Sequence, residues 1–254
     1  MSTRYYIVLP IFFIIVLLES FLPLFTGRKK RLLHGGRNLF QVVINNAAYL
    51  LLFSSVTAKV FVYAGEHHVG LLNMVSLSPL GRFFLMLVLF DLWMYIWHRL
   101  THKIGFIWRF HRMHHSDPEM DVTSALRFHV GEIIMSSIAR LGIYILLGMT
   151  ATDIILYETI MLPIIFLQHS NFYLPEKVDR VLRLVIPTPW MHWVHHSDIK
   201  QETDSNFGTV FSWWDRIFGT YRIRKDPQNI HYGVDIYKER KWQTLWGMLR
   251  TPFV

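Results

Sequence analysis

The sequence contains no cysteine. That excludes disulfides, a thiolate metal site and a cysteine nucleophile, so any metal is held by His, Asp or Glu. There is no low-complexity linker, and 254 residues leave room for one domain or at most two. Acid is also scarce: 18 Asp and Glu stand against 26 Lys and Arg, a formal charge of +8. Excess base can mark a nucleic-acid binder. Here it lies in loops beside apolar runs, which points to anionic lipid headgroups and not to nucleic acid.

What is abundant is apolar. Hydrophobic residues make up 52% of the chain and the mean hydropathy is +0.27, high for a soluble globule. A bilayer-spanning helix needs about 20 mostly apolar residues. Tyr5–Phe25 meets this and reads as a retained anchor, because no small-residue cleavage site follows it. Leu39–Ser55, extended towards Val62, is a second run, made more polar by Asn45 and Asn46. Phe83–Trp97 is a third, with Asp91 inside it. Ile133–Leu147 and Ile154–Leu167 form a hairpin that either crosses the bilayer or dips in and returns. The fold class is therefore all-α: a multi-pass membrane protein with about 4–5 membrane segments and a histidine-rich helical cap. The chain divides into an N-terminal pair of spans (1–81), a central catalytic region (82–222) and a C-terminal tail (223–254).

Lys and Arg set the orientation. The connections after the first and third runs and the C-terminal region are basic; Ala64–Gly81 and the turn at Gly148–Asp153 hold neither Lys nor Arg. The basic regions thus face the cytoplasm. On that face fall His98, His102, His111, His114, His115, His129, His169, His192, His195 and His196, whereas His67 and His68 fall on the other.

These histidines repeat a pattern. His111-Arg-Met-His114-His115-Ser-Asp117 recurs as His192-Trp-Val-His195-His196-Ser-Asp198. Histidines at i, i+3 and i+4 share one helix face and are expected to converge on one ion; His98 and His102, at i and i+4, do likewise. Neutral imidazole suits Fe, Zn, Cu or Ni. A catalytic zinc takes three protein ligands and a structural one four, so ten candidates suit two ions better than one. Glu-x-x-His motifs of the soluble di-iron bundles are missing. Asp91, two turns before His98, either orients a ligand imidazole or is satisfied by Tyr or Trp neighbours. Glu132 either acts likewise or serves the start of a helix. Asp117 and Asp198 are candidate caps or supports, and Trp214–Tyr221 a candidate interfacial anchor.

The residues resemble the fatty acid hydroxylase/sterol desaturase superfamily of integral membrane oxygenases. The matching elements are Asp91-x3-Tyr95-x2-His98-Arg99-x2-His102, His111-x2-His114-His115, Ala125-Leu126-Arg127-Phe128-His129-x2-Glu132, Gln168-His169-Ser170-Asn171, His192-x2-His195-His196, Asn206-Phe207-Gly208 and Trp214-Asp215-Arg216-x-Phe218-Gly219-Thr220-Tyr221. Two positions depart from the pattern: Val130 replaces the usual proline and Gln168 a second histidine. The Ala125–Arg127 segment looks most like the sterol desaturase and alkylglycerol monooxygenase branches. The resemblance implies a non-haem centre of two Fe ions on the cytosolic side, with the histidines as ligands and O2 as co-substrate. It implies hydroxylation or desaturation of a lipid (sterol, fatty acyl, ether lipid or carotenoid). With no fused cytochrome b5 domain, a separate ferredoxin or cytochrome b5-type donor is expected. The absence of targeting extensions favours a bacterial inner membrane over the endoplasmic reticulum. The rival readings are a zinc-dependent lipid hydrolase, which leaves most histidines unexplained, and a non-enzymatic metal-binding membrane protein, for which mid-membrane ligands are expected.

Overall fold

A computed structural model describes residues 4–26 and 30–254. Arg28 and Lys29 of the basic loop lie outside the described residues. The protein is all-helical; among the described residues the only extended pairings are two isolated bridges, Pro23 with Phe172 and Ser197 with Tyr232.

Helix α1 (Tyr5–Phe21) has 17 residues, about 25 Å at 1.5 Å per residue, which is less than a full hydrocarbon core. It packs on α7, and its buried Glu19 accepts from the backbone N–H groups of Val122 and Asn171, both at 3.0 Å, and from Arg31. Helix α2 (Arg31–Leu52) starts eight residues before the expected apolar run. The chain then bends by 56° into α3 (Ser54–Glu66). The Ser54 hydroxyl donates to the Leu50 carbonyl at 2.6 Å, and such back-bonding serines bend helices.

Helix α4 (Pro79–Lys103) opens with Ser78 as cap and Pro79 in the first turn, and it runs past Trp97 to carry His98 and His102 on its last turns. Helix α5 (Gly105–His115) follows after one residue. Helices α6 (Val130–Leu147) and α7 (Ala151–His169) form the hairpin. With α4 they are long and apolar enough to cross a membrane, and the bent α2–α3 pair makes up to four such spans. The apolar runs underestimate these helices because capping residues, not hydropathy, end them. Gly148 closes α6 at φ +70°, and a Cβ on Gly70 would lie 2.1 Å from the Gly148 nitrogen, so two glycines seat the Gly70 loop on the hairpin turn. Met86 and Phe90 from α4, Tyr144 and Leu147 from α6 and Tyr157 from α7 form the core between the spans.

Beyond α7 the chain is short helices and loops: α8 (Glu176–Leu182), α9 (Pro189–His195), α10 (Lys200–Thr203), α11 (Trp213–Ile217) and α12 (Leu245–Arg250). A second core of Met120, Trp190, Trp193, Val194, Ile230 and Tyr232 holds this cap together.

Candidate metal centre

Nine histidines from α4, α5, α7 and α9 with its C-cap meet in two groups. His98, His102, His111, His115 and His195 form one; His114, His169, His192 and His196 form the other. Within each group one ring nitrogen per residue lies within 4.8 Å of all the others. Opposite ligands at about 2.1 Å from a metal stand about 4.2 Å apart and adjacent ones about 3.0 Å. In the second group the Nε2–Nε2 distances are 3.1 Å for His169–His114, 2.9 Å for His192–His169 and 3.1 Å for His196–His192.

The repeat does not behave as the spacing suggested. The three histidines of each HxxHH motif do not converge on one ion: His111 and His115 point into the first group and His114 into the second, while His192 and His196 point into the second and His195 into the first. The reason is helical geometry. Residues i and i+4 are about 40° apart around the axis, but i+3 and i+4 are about 100° apart at 3.6 residues per turn. The two motifs therefore exchange members, each lending its middle histidine to the other's group.

Hydrogen bonds fix several rings. His98 Nδ1 faces the Phe207 carbonyl at 3.1 Å, His195 Nδ1 the Ser205 carbonyl at 2.7 Å and His169 Nδ1 the Ile165 carbonyl at 2.8 Å. A carbonyl only accepts, so Nδ1 carries the proton and Nε2 presents its lone pair. His111 Nδ1 bonds Glu132 Oε1 at 2.8 Å, the carboxylate–histidine arrangement that raises ligand basicity. The Nε2 atoms of His102, His111 and His195 and both ring nitrogens of His115 are buried with no hydrogen-bond partner. Such concentrated unpaired nitrogens are costly unless they bind a metal. Burial holds His114, His115, His192 and His196 well below the ordinary histidine range, and His195 at about 3. All five are neutral at neutral pH, the form that ligates.

His129, the tenth candidate, stands outside both groups. It caps α6, its Nδ1 accepting from Gly131 N–H at 2.9 Å, while Nε2 donates to the Leu249 carbonyl at 3.2 Å. Both ring nitrogens are thus spent, one on the cap of α6 and the other on the C-terminal tail. His67 and His68 belong to neither group; His67 is exposed and stacks on Tyr63.

Asp91 touches no histidine. Its carboxylate accepts from Tyr157 Oη (2.8 Å), Val210 N–H (2.9 Å), Phe211 N–H (3.0 Å) and Trp214 Nε1 (2.9 Å). Two helical turns, about 10.5 Å, put it too far from His98. Of its two expected roles the structure shows the bonding to Tyr and Trp neighbours. Trp214 is correspondingly buried within the fold, whereas Ile217 and Phe218 of the same segment are exposed. Asp215 beside it accepts from Phe207 N–H (2.7 Å), Gly208 N–H (2.9 Å) and Thr220 Oγ1 (2.7 Å), which positions the Phe207 carbonyl for His98.

Asp117 and Asp198 part company. Asp198 forms a partly exposed pair with Lys238. Asp117 is buried, with both carboxylate oxygens 2.9 Å from His34 Nε2. Burial works to raise its carboxyl, but the charges of His34 and Arg127 hold it well below the usual range. Sequence reading passed over His34, which lies outside the repeated motifs; its signal is the polar face of α2 it shares with Asn38 and Asn45.

Replacing Glu132 by Ala leaves the His111 N–H without its acceptor and is expected to weaken metal binding about 10- to 100-fold, with Gln intermediate. Competition against a chromogenic chelator measures this; wild-type affinity in both variants would rule out the Glu132–His111 coupling.

Residues 83–220 match the model of the family described as fatty acid hydroxylase. Among curated relatives, an ornithine lipid hydroxylase of Rhizobium tropici is 29% identical over 58% of this chain and 44% of its own. Human alkylglycerol monooxygenase is 28% identical over 72% of this chain and 39% of its own. Human cholesterol 25-hydroxylase is 27% identical over 56% and 51%. The chain thus aligns with about half or less of each of these relatives. No solved structure matches it.

Proposed function

Since the chain belongs to the fatty acid hydroxylase family, we propose that it is a membrane-bound non-haem di-iron oxygenase that uses O2 and external electrons to hydroxylate or desaturate a lipid. The observation that carries this is the pairing of two separate all-histidine groups of five and four members in one buried cluster. A zinc hydrolase needs three protein ligands and a water; that reading leaves one whole group without a role. The relatives' names, a lipid hydroxylase, an ether-lipid monooxygenase and a sterol hydroxylase, support lipid oxidation.

In this reading the nine grouped histidines hold the metals. Glu132 orients His111, and Asp91 and Asp215 fix the segment whose Phe207 carbonyl orients His98. Two irons so held supply O2 activation and the power to break a C–H bond. The protein's part is to bind the lipid, keep water out and keep the imidazoles neutral. The grouped histidines lie at the ends of α4 and α7 that carry basic connections, so the centre is assigned to the cytoplasmic face, where a separate ferredoxin or cytochrome b5-type protein delivers electrons.

Elemental analysis of detergent-purified protein, produced in iron-rich and zinc-poor medium, is the test. About two irons per chain, one for each group, are expected, together with a lipid product heavier by one oxygen or lighter by two hydrogens. A single tight zinc with no iron after anaerobic ferrous loading would replace this reading with the hydrolase.

A further inference from the structure

One tryptophan ring runs from the surface onto the histidine cluster. Trp108 lies on α5, with His111 at i+3 and His115 at i+7 on the same helix face. Its ring centroid is 4.9 Å from that of His102, 5.4 Å from that of His115 and 6.1 Å from that of His111. All three belong to the five-histidine group. Among the described residues no other tryptophan packs on a grouped histidine. Trp108 is only half-buried. Its indole N–H bonds to no described residue and is not buried, so that edge of the ring reaches the surface.

The surrounding surface has one sign of charge. Residues 103–112 hold Lys103, Arg109 and Arg112 and no acid. Lys103 pairs with Asp204 at 2.8 Å, yet its side chain is still 49% exposed. Arg112 donates to the Thr251 carbonyl at 3.1 Å. Arg109, next to the indole, is exposed and makes no ion pair among the described residues. Ile104 and Phe106 add an exposed apolar rim. Base and apolar side chains together also suit lipid headgroups, but a headgroup contact gives no reason for a ring that continues inward onto three imidazoles.

We infer that Trp108 is where electrons enter the centre, and that the basic, apolar-rimmed surface around it seats an acidic one-electron carrier protein. This rests on the oxygenase reading above. Tunnelling weakens steeply across gaps between atoms, and a conjugated ring packed on the ligands closes such a gap. Redox encounters are small and short-lived, so a single ring with its rim is sufficient surface. Arg109 and Lys103 steer the carrier onto it. At each encounter one electron leaves the carrier, which is oxidised, and passes to a ferric ion held by the five-histidine group, which is reduced. No bond forms or breaks; the indole is a bridge and is not itself oxidised.

The test follows electron uptake without turnover. Full-length, iron-loaded protein in lipid nanodiscs, without O2, is mixed with a reduced acidic [2Fe–2S] ferredoxin or reduced soluble cytochrome b5, and the carrier's own absorbance reports its oxidation. Reduced methyl viologen, which needs no docking surface, is the control. Trp108→Leu is expected to accept electrons about tenfold more slowly from whichever carrier serves wild type. Its iron content and its rate with methyl viologen should be unchanged, whereas a packing defect would alter both. Trp108→Phe keeps a ring and should fall between. In metal-free protein, Arg109→Glu is expected to weaken binding of the oxidised carrier about tenfold at low salt, with the difference shrinking as salt rises. A wild-type carrier rate in Trp108→Leu overturns the inference and leaves an interfacial anchor; if that variant loses its iron, the same outcome in Trp108→Phe does so. Carrier binding indifferent to Arg109→Glu also overturns it, as does a wild type that methyl viologen reduces and neither carrier does. A protein that holds zinc and accepts electrons from no reductant overturns the oxygenase reading, and the inference with it.

Discussion

His114→Ala protein is expected to carry about one metal ion per chain in place of two and to oxidise no lipid. His114 is the one member of the 111–115 motif that points into the four-histidine group. Its Nε2 stands 3.1 Å from that of His169, and its ring fills the space beside Phe128. Alanine removes a ligand from the smaller group and opens a gap between the metal and the Phe128 wall. The five histidines of the other group are untouched, so one ion stays. The reciprocal variant, His195→Ala, takes a ligand from the five-histidine group and is likewise expected to be inactive. Metal analysis paired with product detection reads both. Full metal content with full activity in either variant would remove the ligand assignment, whereas loss of all helical signal would show a folding defect.

The second large effect is on stability. Asp91→Leu is expected to lower the unfolding free energy by about 3–5 kcal/mol, the usual cost of breaking a buried charged network by deleting one partner. The carboxylate is 0% exposed and accepts from four donors. All four would be stranded, two of them backbone N–H groups of the segment that leads from Phe207 to Trp214. Asp91→Asn retains one accepting oxygen and is expected to lose less. Because the same segment orients His98, metal affinity should fall along with the melting temperature. Denaturant titration in mild detergent, followed by tryptophan fluorescence, gives the comparison. An Asp91→Leu midpoint equal to wild type would mean that these four bonds carry no net stability.

Much of this architecture was legible because it follows from strong local signals. The apolar runs around residues 83–97, 133–147 and 154–167 all became helices that can span a bilayer, extended by caps such as Ser78 and Thr150 that hydropathy ignores. The clustering of nine histidines was readable from the HxxHH repeat and the shared membrane face. How they divide was not, because spacing alone does not show which way a third histidine turns. His129 was counted with the others although Val130 departs from the family pattern beside it; a ring at a helix N-terminus is drawn to the free N–H groups there, and it caps α6. Asp91 could be read either as a support for His98 or as an acid satisfied by Tyr and Trp, and the structure shows the second; which Tyr and Trp these are, 157 and 214, and that the backbone of 210 and 211 joins them, only the folded chain reveals.

The exchange of middle histidines between the two motifs has a consequence for how the centre fills. Neither pocket belongs to one helix: α5 and α9 each serve both, so an ion that docks in either pocket pins the two helices against each other and prepays the ordering cost of its neighbour. Loading should then be cooperative. At half-saturating iron the population would split into molecules with no ion and molecules with a complete pair, with few carrying one. Native mass spectrometry would display that division directly. A dominant single-ion species in wild type would show instead that the pockets fill as strangers.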